Sequence, residues 1–251
     1  MINKDIKKII IVLILLFFGA ASSILFNYKN TGAFMPVKRK LPIYSVDTAD
    51  KKVSITFDVS WGQDHTKEIL DILDKYNIKC TFFIVGAWAE DNKELVRQIY
   101  ERGHEIGNHS YNHPDFTRVS KDRIIQEINK NDNLIEKITG EKPTLVRCPE
   151  GNYNDSVINI IESTNHYCIQ WDADSIDWMQ QGEEIEYERI MKKTQNGSIL
   201  LFHNYGNYTT KTLPRIIERL RSSGYTFVKA GDLIYKDNYY FNSEGKQFKQ
   251  R

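Results

Sequence analysis

The stretch Val53-Ser54-Ile55-Thr56-Phe57-Asp58, followed after a short loop by residues 66–76, decides how the rest of the chain is read. Its first part is β-prone and stops on a carboxylate. Its second part places Ile69, Leu70, Ile72 and Leu73 on one helical face. The same rhythm repeats outward along the sequence. Residues 80–85 are predicted as a strand, 92–101 as a helix stopped near Gly103, 104–107 as a strand, and 120–138 as a longer helix closed by Gly140. Residues 144–146, 167–171, 198–202 and 225–228 read as further strands. Residues 156–163, 183–194 and 213–222 read as the helices between them. About seven strand-helix units result, which predicts an α/β fold with a parallel sheet and helices outside it. A distorted or incomplete (β/α) barrel is the first expectation and an open doubly wound sheet the second. No glycine-rich phosphate loop follows the first strand, which argues against a nucleotide-binding version.

Composition bounds the function. The 251 residues are 41% apolar and 12% aromatic, enough for a substantial core. A formal net charge of +1 gives no field pointing to nucleic acid. Three cysteines, Cys80, Cys148 and Cys168, lack the paired spacing of a disulfide framework. Residues 1–8, carrying Lys4, Lys7 and Lys8, precede an uncharged run over 9–26. That run has the length of a membrane-spanning helix, with the lysine side cytoplasmic. The competing reading is a signal peptide cut near Ala20-Ala21-Ser22, which would leave a secreted protein. Both put the body of the chain outside the membrane. Residues 27–48 read as a linker, 49–236 as the domain, and 237–251 as a loosely held polar tail.

Five polar clusters each follow an apolar, strand-like run, and a barrel gathers reactive groups where its strands end. Asp58 is a metal ligand, a general base or a cap. Asp64 is a cap for the helix at Thr66 or a spare carboxylate for a metal. His109-Ser110-Tyr111-Asn112-His113 spaces two imidazoles at i and i+4, as metal ligands need, or as two hydrogen-bonded loop histidines. In the turn Arg147-Cys148-Pro149-Glu150-Gly151-Asn152-Tyr153-Asn154, Arg147 can clamp a carboxylate and the backbone amides can hold an oxyanion. Cys148 is a rival nucleophile there, and Asn154 a helix cap. Three carboxylates, Asp172, Asp174 and Asp177, lie between Trp171 and Trp178, an aromatic wall suited to a sugar ring. His203 ends the run Ile199-Leu200-Leu201-Phe202 and is a candidate acid or base, or a satisfied core histidine. His65, His104 and His166 read as structural or exposed.

Taken with their order and spacing, Thr56-Phe57-Asp58, His109 to His113, Arg147 to Asn154, Asp177-Trp178 and Leu200-Leu201-Phe202-His203 make the chain resemble the polysaccharide deacetylases. These are the NodB-homology domains of carbohydrate esterase family four, and the Ser60-Trp61-Gly62 loop resembles their spore-former branch. The resemblance covers about residues 53–234. It implies Asp58 as general base, His109 and His113 as ligands of a divalent metal such as zinc, and Arg147 as the residue orienting the base. It implies Asp177 as the residue tuning His203, and His203 as the general acid. Asn152, Tyr153, Trp178 and Trp61 are the expected substrate contacts. The family's second aspartate, a metal ligand, is here Val59. Asp64 or water would then complete the ion's coordination, or no metal binds.

The expected activity is hydrolysis of N-acetyl groups on an amino-sugar polymer, peptidoglycan by location, from a single-pass membrane protein with its domain outside the cell membrane. The rivals are a metal-free sugar-binding envelope protein, an O-acetyl esterase, and a glycosidase using Asp58 and Asp174.

Overall fold

The computed structural model describes residues 14, 17 and 39–250. Its strands are β1 (Ser45–Val46), β2 (Lys52–Val59), β3 (Thr81–Ile84), β4 (Glu105–Asn108), β5 (Leu145–Val146), β6 (Tyr167–Cys168), β7 (Ala173–Asp174), β8 (Ile199–His203), β9 (Thr226–Phe227), β10 (Tyr239–Phe241) and β11 (Lys246–Lys249). Between them run α1 (Thr66–Lys75), α2 (Gly86–Asp91), α3 (Lys93–Glu101), α4 (Lys121–Thr139), α5 (Asp155–Ser163), α6 (Glu183–Lys193), α7 (Thr209–Ser222) and α8 (Ala230–Leu233). The cytoplasmic N-terminus and membrane anchor expected over residues 1–26 lie outside the described residues, apart from Ile14 and Phe17.

Seven strands pair side by side in the order β6-β5-β4-β3-β2-β8-β7, every pair parallel, with β9 adding to the start of β2. Numbered round a circle, that order is consecutive with one seam, between β6 and β7. The seam fixes the curvature. Cys168 and Ala173 are only five residues apart, a reach of about 18 Å, whereas a flat sheet would hold its two edges about 29 Å apart. The sheet must therefore curl, which makes it the incomplete barrel expected and excludes the open doubly wound alternative.

Strand alternation divides the residues between two layers. Val53, Ile55, Phe57 and Val59 of β2 join Phe82, Ile84, Leu200 and Phe202 in the main core, where they meet Ile69, Leu70 and Leu73 of α1 and Leu213, Ile216 and Ile217 of α7. Phe57 stacks on Phe82 with centroids 5.0 Å apart. The other face points into the barrel. There Phe83, Leu145, Ile169 and Ile199 pack together with Ile43 and Val46. Asp58 shares the face of Ser54 and Thr56, opposite to Val59.

Two stretches differ from expectation. The linker read over residues 27–48 contains a packed segment: Ile43 donates its N–H to Cys168 O at 2.8 Å and accepts from Gln170 N at 2.7 Å, while Val46 donates to Gly197 O at 2.9 Å. This segment reaches from the β6 edge to the start of β8 and closes the base of the seam, where open strand edges would otherwise leave backbone groups unpaired. The polar tail read over 237–251 is a hairpin of β10 and β11, and β11 pairs in parallel with β1. Buried Gln247 secures it by accepting from Tyr235 N and donating to Tyr235 O, both at 2.9 Å. The short elements α2, β7 and α8 were also absent from the sequence reading.

Candidate active site

Asp58, His109, Arg147, Asp174 and His203 all sit at or just past the C-terminal ends of parallel strands, so the fold delivers them to one mouth of the barrel. There Asp58, His109, Asp174 and His203 border a cleft of about 390 Å³, with His113, Glu150, Gly151, Trp171, Trp178 and Tyr205 among its other walls and Arg147 buried behind Asp58. Asp58 and His203 are direct partners in the β2–β8 register.

Arg147 is fully buried, and its Nη1 donates to Asp58 Oδ1 at 2.7 Å while Nη2 donates to Gln170 O at 3.1 Å. Its guanidinium lies 4.1 Å from the Phe83 ring centroid and 5.4 Å from that of Trp171. Phe83 needs the opposing position empty of side chain, because a Cβ on Gly107 would fall 2.5 Å from its ring. Burial alone would push the Asp58 carboxyl up. The Arg147 charge and, more weakly, His109 and His203 overcome this and hold it below the ordinary 3.8. Asp58 is a carboxylate at neutral pH with Oδ1 occupied and Oδ2 turned toward the imidazoles.

His203 is perturbed in the opposite direction. Its Nδ1 lies 2.7 Å from Asp177 Oδ1, so Nδ1–H donates to the carboxylate and Nε2 is left for the cleft. Asp177, fully buried, also accepts from His203 N at 2.7 Å and Thr209 Oγ1 at 3.0 Å. Burial of His203 would lower its pKa, but the bond to Asp177 and that residue's charge raise it above 6.5. Gly206 makes room for the arrangement: a Cβ there would stand 2.2 Å from Thr209 Oγ1 and 2.8 Å from Asp177 Oδ2. One cleft thus holds a carboxylate kept without its proton beside an imidazole that keeps its own.

His109 Nδ1 donates to Arg147 O at 2.9 Å, leaving Nε2 as a bare acceptor 3.5 Å from Asp58 Oδ2. His113 Nε2 is 3.2 Å from His109 Nε2. Burial lowers the pKa of both rings, that of His113 to about 4, so both are neutral imidazoles at physiological pH. Their separation is near the edge of about 3.3–3.4 Å that two nitrogens span around a tetrahedral zinc ion. The pair therefore suits a divalent ion as two protein ligands. Among the described residues no group of three His, Cys, Asp or Glu side chains is arranged to hold one.

Several expected residues stand elsewhere. Asp64, the spare metal carboxylate, is exposed and outside the cleft lining, and its Oδ1 accepts from Thr66 N at 2.8 Å and Asn204 Nδ2 at 3.3 Å at the start of α1. Val59 is fully buried in the main core on the helix side of β2. The turn reaches the cleft wall through Glu150 and Gly151, and Asn152 and Tyr153 are not among the lining residues. Asn152 N donates to Pro149 O at 3.1 Å, and the Tyr153 hydroxyl meets that of Tyr44 at 3.1 Å. Trp178 is half-exposed at the cleft, and Trp61 is equally exposed in the loop after β2. Cys148 is buried beneath the turn with its Sγ 3.7 Å from that of Cys168, out of reach as a nucleophile. Trp171 lines the cleft as the aromatic wall expected of it, and Tyr205 is a further wall that the sequence reading did not assign. Tyr205 follows His203 by two residues, the one signal in the sequence that marks it.

The sequence matches the polysaccharide deacetylase family over residues 45–169. It is 30% identical over 197 residues to the peptidoglycan-N-acetylmuramic acid deacetylase PdaA of Bacillus subtilis, covering 77% of this chain and 75% of that protein. It is 33% identical to the uncharacterized protein YlxY of the same organism, spanning 60% of that protein's length. Among solved structures, a CE4 family pseudoenzyme from Bacillus anthracis superposes with a TM-score of 0.74 at 33% identity, covering 77% of this chain and 68% of that one. A mutant of that pseudoenzyme is described as having restored enzymatic activity. The fold is an incomplete barrel with a polar cleft at its strand ends, as in the carbohydrate esterase structures it superposes on. The chain belongs to the polysaccharide deacetylase family.

Proposed function

We propose that the chain removes N-acetyl groups from an amino-sugar polymer of the cell envelope, with peptidoglycan as the substrate. The observation that carries this is the pairing of Asp58 and His203 across adjacent strands, one held deprotonated by Arg147 and the other held protonated by Asp177. Water attack on an amide needs both at once: a base for the water and an acid for the departing amine.

In this mechanism the sugar lies against the apolar faces of Trp171 and Trp178. A divalent ion held by His109 and His113 would supply Lewis acidity to the acetyl carbonyl and lower the pKa of water. Asp58 Oδ2 accepts the proton of the attacking water, and Arg147 keeps Oδ1 fixed so that the free oxygen points at the cleft. As the C–N bond breaks, His203 Nε2 donates its proton to the amine nitrogen. Asp177 stabilises the imidazolium before transfer and holds the ring's orientation after it. Acetate and a free amino sugar are the products.

Acetate release from purified peptidoglycan and from N-acetylated oligosaccharides tests the reading. Asp58→Asn and His203→Ala are each expected to lower turnover by about two to four orders of magnitude. Retained turnover in either variant removes that residue's role. Acetate from acetylated xylan but not from N-acetylated oligomers would instead support an O-acetyl esterase, and chain cleavage without acetate a glycosidase.

A second reading, a sugar-binding protein without turnover, is favoured by one feature. Val59 occupies the sequence position of the family's second aspartate, is apolar and buried in the core, and cannot coordinate an ion, and the chain is similar to a pseudoenzyme. Glycan binding with no acetate release, in protein saturated with zinc, would establish it. We further propose that residues 9–26 anchor the protein and place its domain outside the cell membrane. Proteolysis of intact against lysed cells checks this, since an external domain is cut in both.

A further inference from the structure

One face of α4 is buried and polar where a helix packed on a barrel is ordinarily apolar. Glu127 is 2% exposed, and Asn131 and Asp132 are fully buried. All three turn toward the loop that carries the two histidines. Glu127 Oε2 accepts the backbone N–H of Tyr111 at 2.9 Å and of Asn112 at 2.6 Å, and Oε1 accepts from Asn112 Nδ2 at 2.7 Å. Asn131 Nδ2 reaches Ser110 O at 2.9 Å, Ile84 O at 2.8 Å and Asn108 Oδ1 at 3.1 Å. Asp132 Oδ1 accepts from Asn108 Nδ2 at 2.7 Å.

The loop needs this support. Ser110 and His113 both adopt left-handed backbone conformations, each with φ of 60°, which side-chain-bearing residues hold only when their surroundings over-determine them. Tyr111 and Asn112, between those two residues, turn their N–H groups to one carboxylate rather than to a strand or helix partner. Without it those donors would be left unpaired beside buried groups, and the loop would relax to satisfy them. The i to i+4 spacing of the imidazoles is not helical here. What brings His113 Nε2 to 3.2 Å from His109 Nε2 is the loop's conformation.

From this we infer that Glu127 is a positioning residue for the two-histidine site: its carboxylate fixes the loop that keeps the two imidazoles in ligating geometry. The inference rests on the metal-binding part of the proposed function and is independent of whether acetate is released. Outer-shell groups that orient a ligand change metal affinity by about 10- to 100-fold when replaced. Arg123 pairs with Glu127 Oε1 at 2.6 Å from a half-exposed position and contacts neither loop amide, so it serves as the control.

The test is zinc affinity, by competition with a chromophoric chelator, together with the visible spectrum of the cobalt-substituted protein. Both are read on the parent, Glu127→Gln, Glu127→Asp and Arg123→Ala, with thermal melts to confirm folding. Glu127→Gln keeps the size but offers an amide NH₂ to one of the loop donors. Glu127→Asp keeps the charge but falls one methylene short. The expected result is zinc affinity reduced about 10- to 100-fold in both, an altered cobalt spectrum, and Arg123→Ala within about threefold of the parent. Folded Glu127 variants with parental affinity and spectrum would overturn the inference, as would a parent that binds no divalent ion. A parent that binds zinc but releases no acetate would overturn the deacetylase reading alone.

Discussion

Asp58 and His203 are perturbed in opposite directions, and the sign of each predicts the shape of the pH profile. The active form has Asp58 deprotonated and His203 protonated. Asp58, lowered, reaches its form above a pKa lying under 3.8, and His203, raised, keeps its proton to above 6.5. The rate plateau should therefore be broad, with an alkaline limb above the ordinary histidine value. In Asp177→Asn the largest influences that raise His203, the bond to the carboxylate and its charge, are gone, leaving the weaker Asp58 and Asp174 charges against burial. That variant should show its alkaline limb moved to lower pH and a lower rate at neutral pH. A limb that stays in place would mean that some group other than His203 gives up the proton. At this scale the sequence was informative for residues that end apolar runs, because a strand end is visible as a change of polarity. Asp58, His109, Arg147 and His203 all carried that mark. Glu127 did not, since one carboxylate among the many charges of a long amphipathic helix looks like a solvated group. Asp64 misled for a related reason: spacing along a loop does not reveal which donor a carboxylate has already taken.

The seam between β6 and β7 makes one glycine decisive. Gly197 has a φ of 79°, and a Cβ on it would lie 1.8 Å from Val46 O, the carbonyl of the segment that closes the barrel's base. Gly140, which ends α4 with a φ of 82°, has nothing within 4 Å of the same position. Gly140→Ala should therefore show backbone strain alone, about 1–2 kcal/mol. Gly197→Ala should lose that and the contact with residues 43–46, so that its destabilisation in urea melts exceeds the control's by about 1–3 kcal/mol. Equal losses would show that the segment contributes nothing to stability. The same segment explains why the sequence reading took residues 27–48 for a linker. Ile43 and Val46 have no periodic neighbours to announce them, and their order comes from pairing with residues more than a hundred positions away. The hairpin β10–β11 was missed likewise, its polar sequence being organised by β1 and Gln247. Six of the seven barrel strands were legible as short β-prone stretches between helical ones, and β7, two residues long, was not.

For the molecule as a whole, buried ionisable groups away from the reaction set how stability responds to pH. His104, 3% exposed, is kept neutral in the fold: burial lowers its pKa from 6.5 to about 4. Between those values the unfolded chain binds the extra proton, so stability falls as pH falls, by about 3 kcal/mol over the window. Glu186 on α6 acts on the other side. It is 1% exposed, and burial together with the nearby Asp177 charge raises its pKa from 4.5 to about 7. Here the folded chain holds the proton that the unfolded chain releases, so stability falls as pH rises from 4.5 to about 7. Above that range the carboxylate is charged in both states and its burial is unfavourable by about 3 kcal/mol. Glu186→Gln removes the charge and keeps the volume. It should therefore raise the midpoint of thermal unfolding by several degrees at pH 8, while leaving it nearly unchanged at pH 4, where Glu186 is already protonated in the fold. The parent's stability should decline from pH 5 to 8 more steeply than the variant's. A shift of equal size at both pH values would show that Glu186 acts through packing, and that its proton plays no part in the balance.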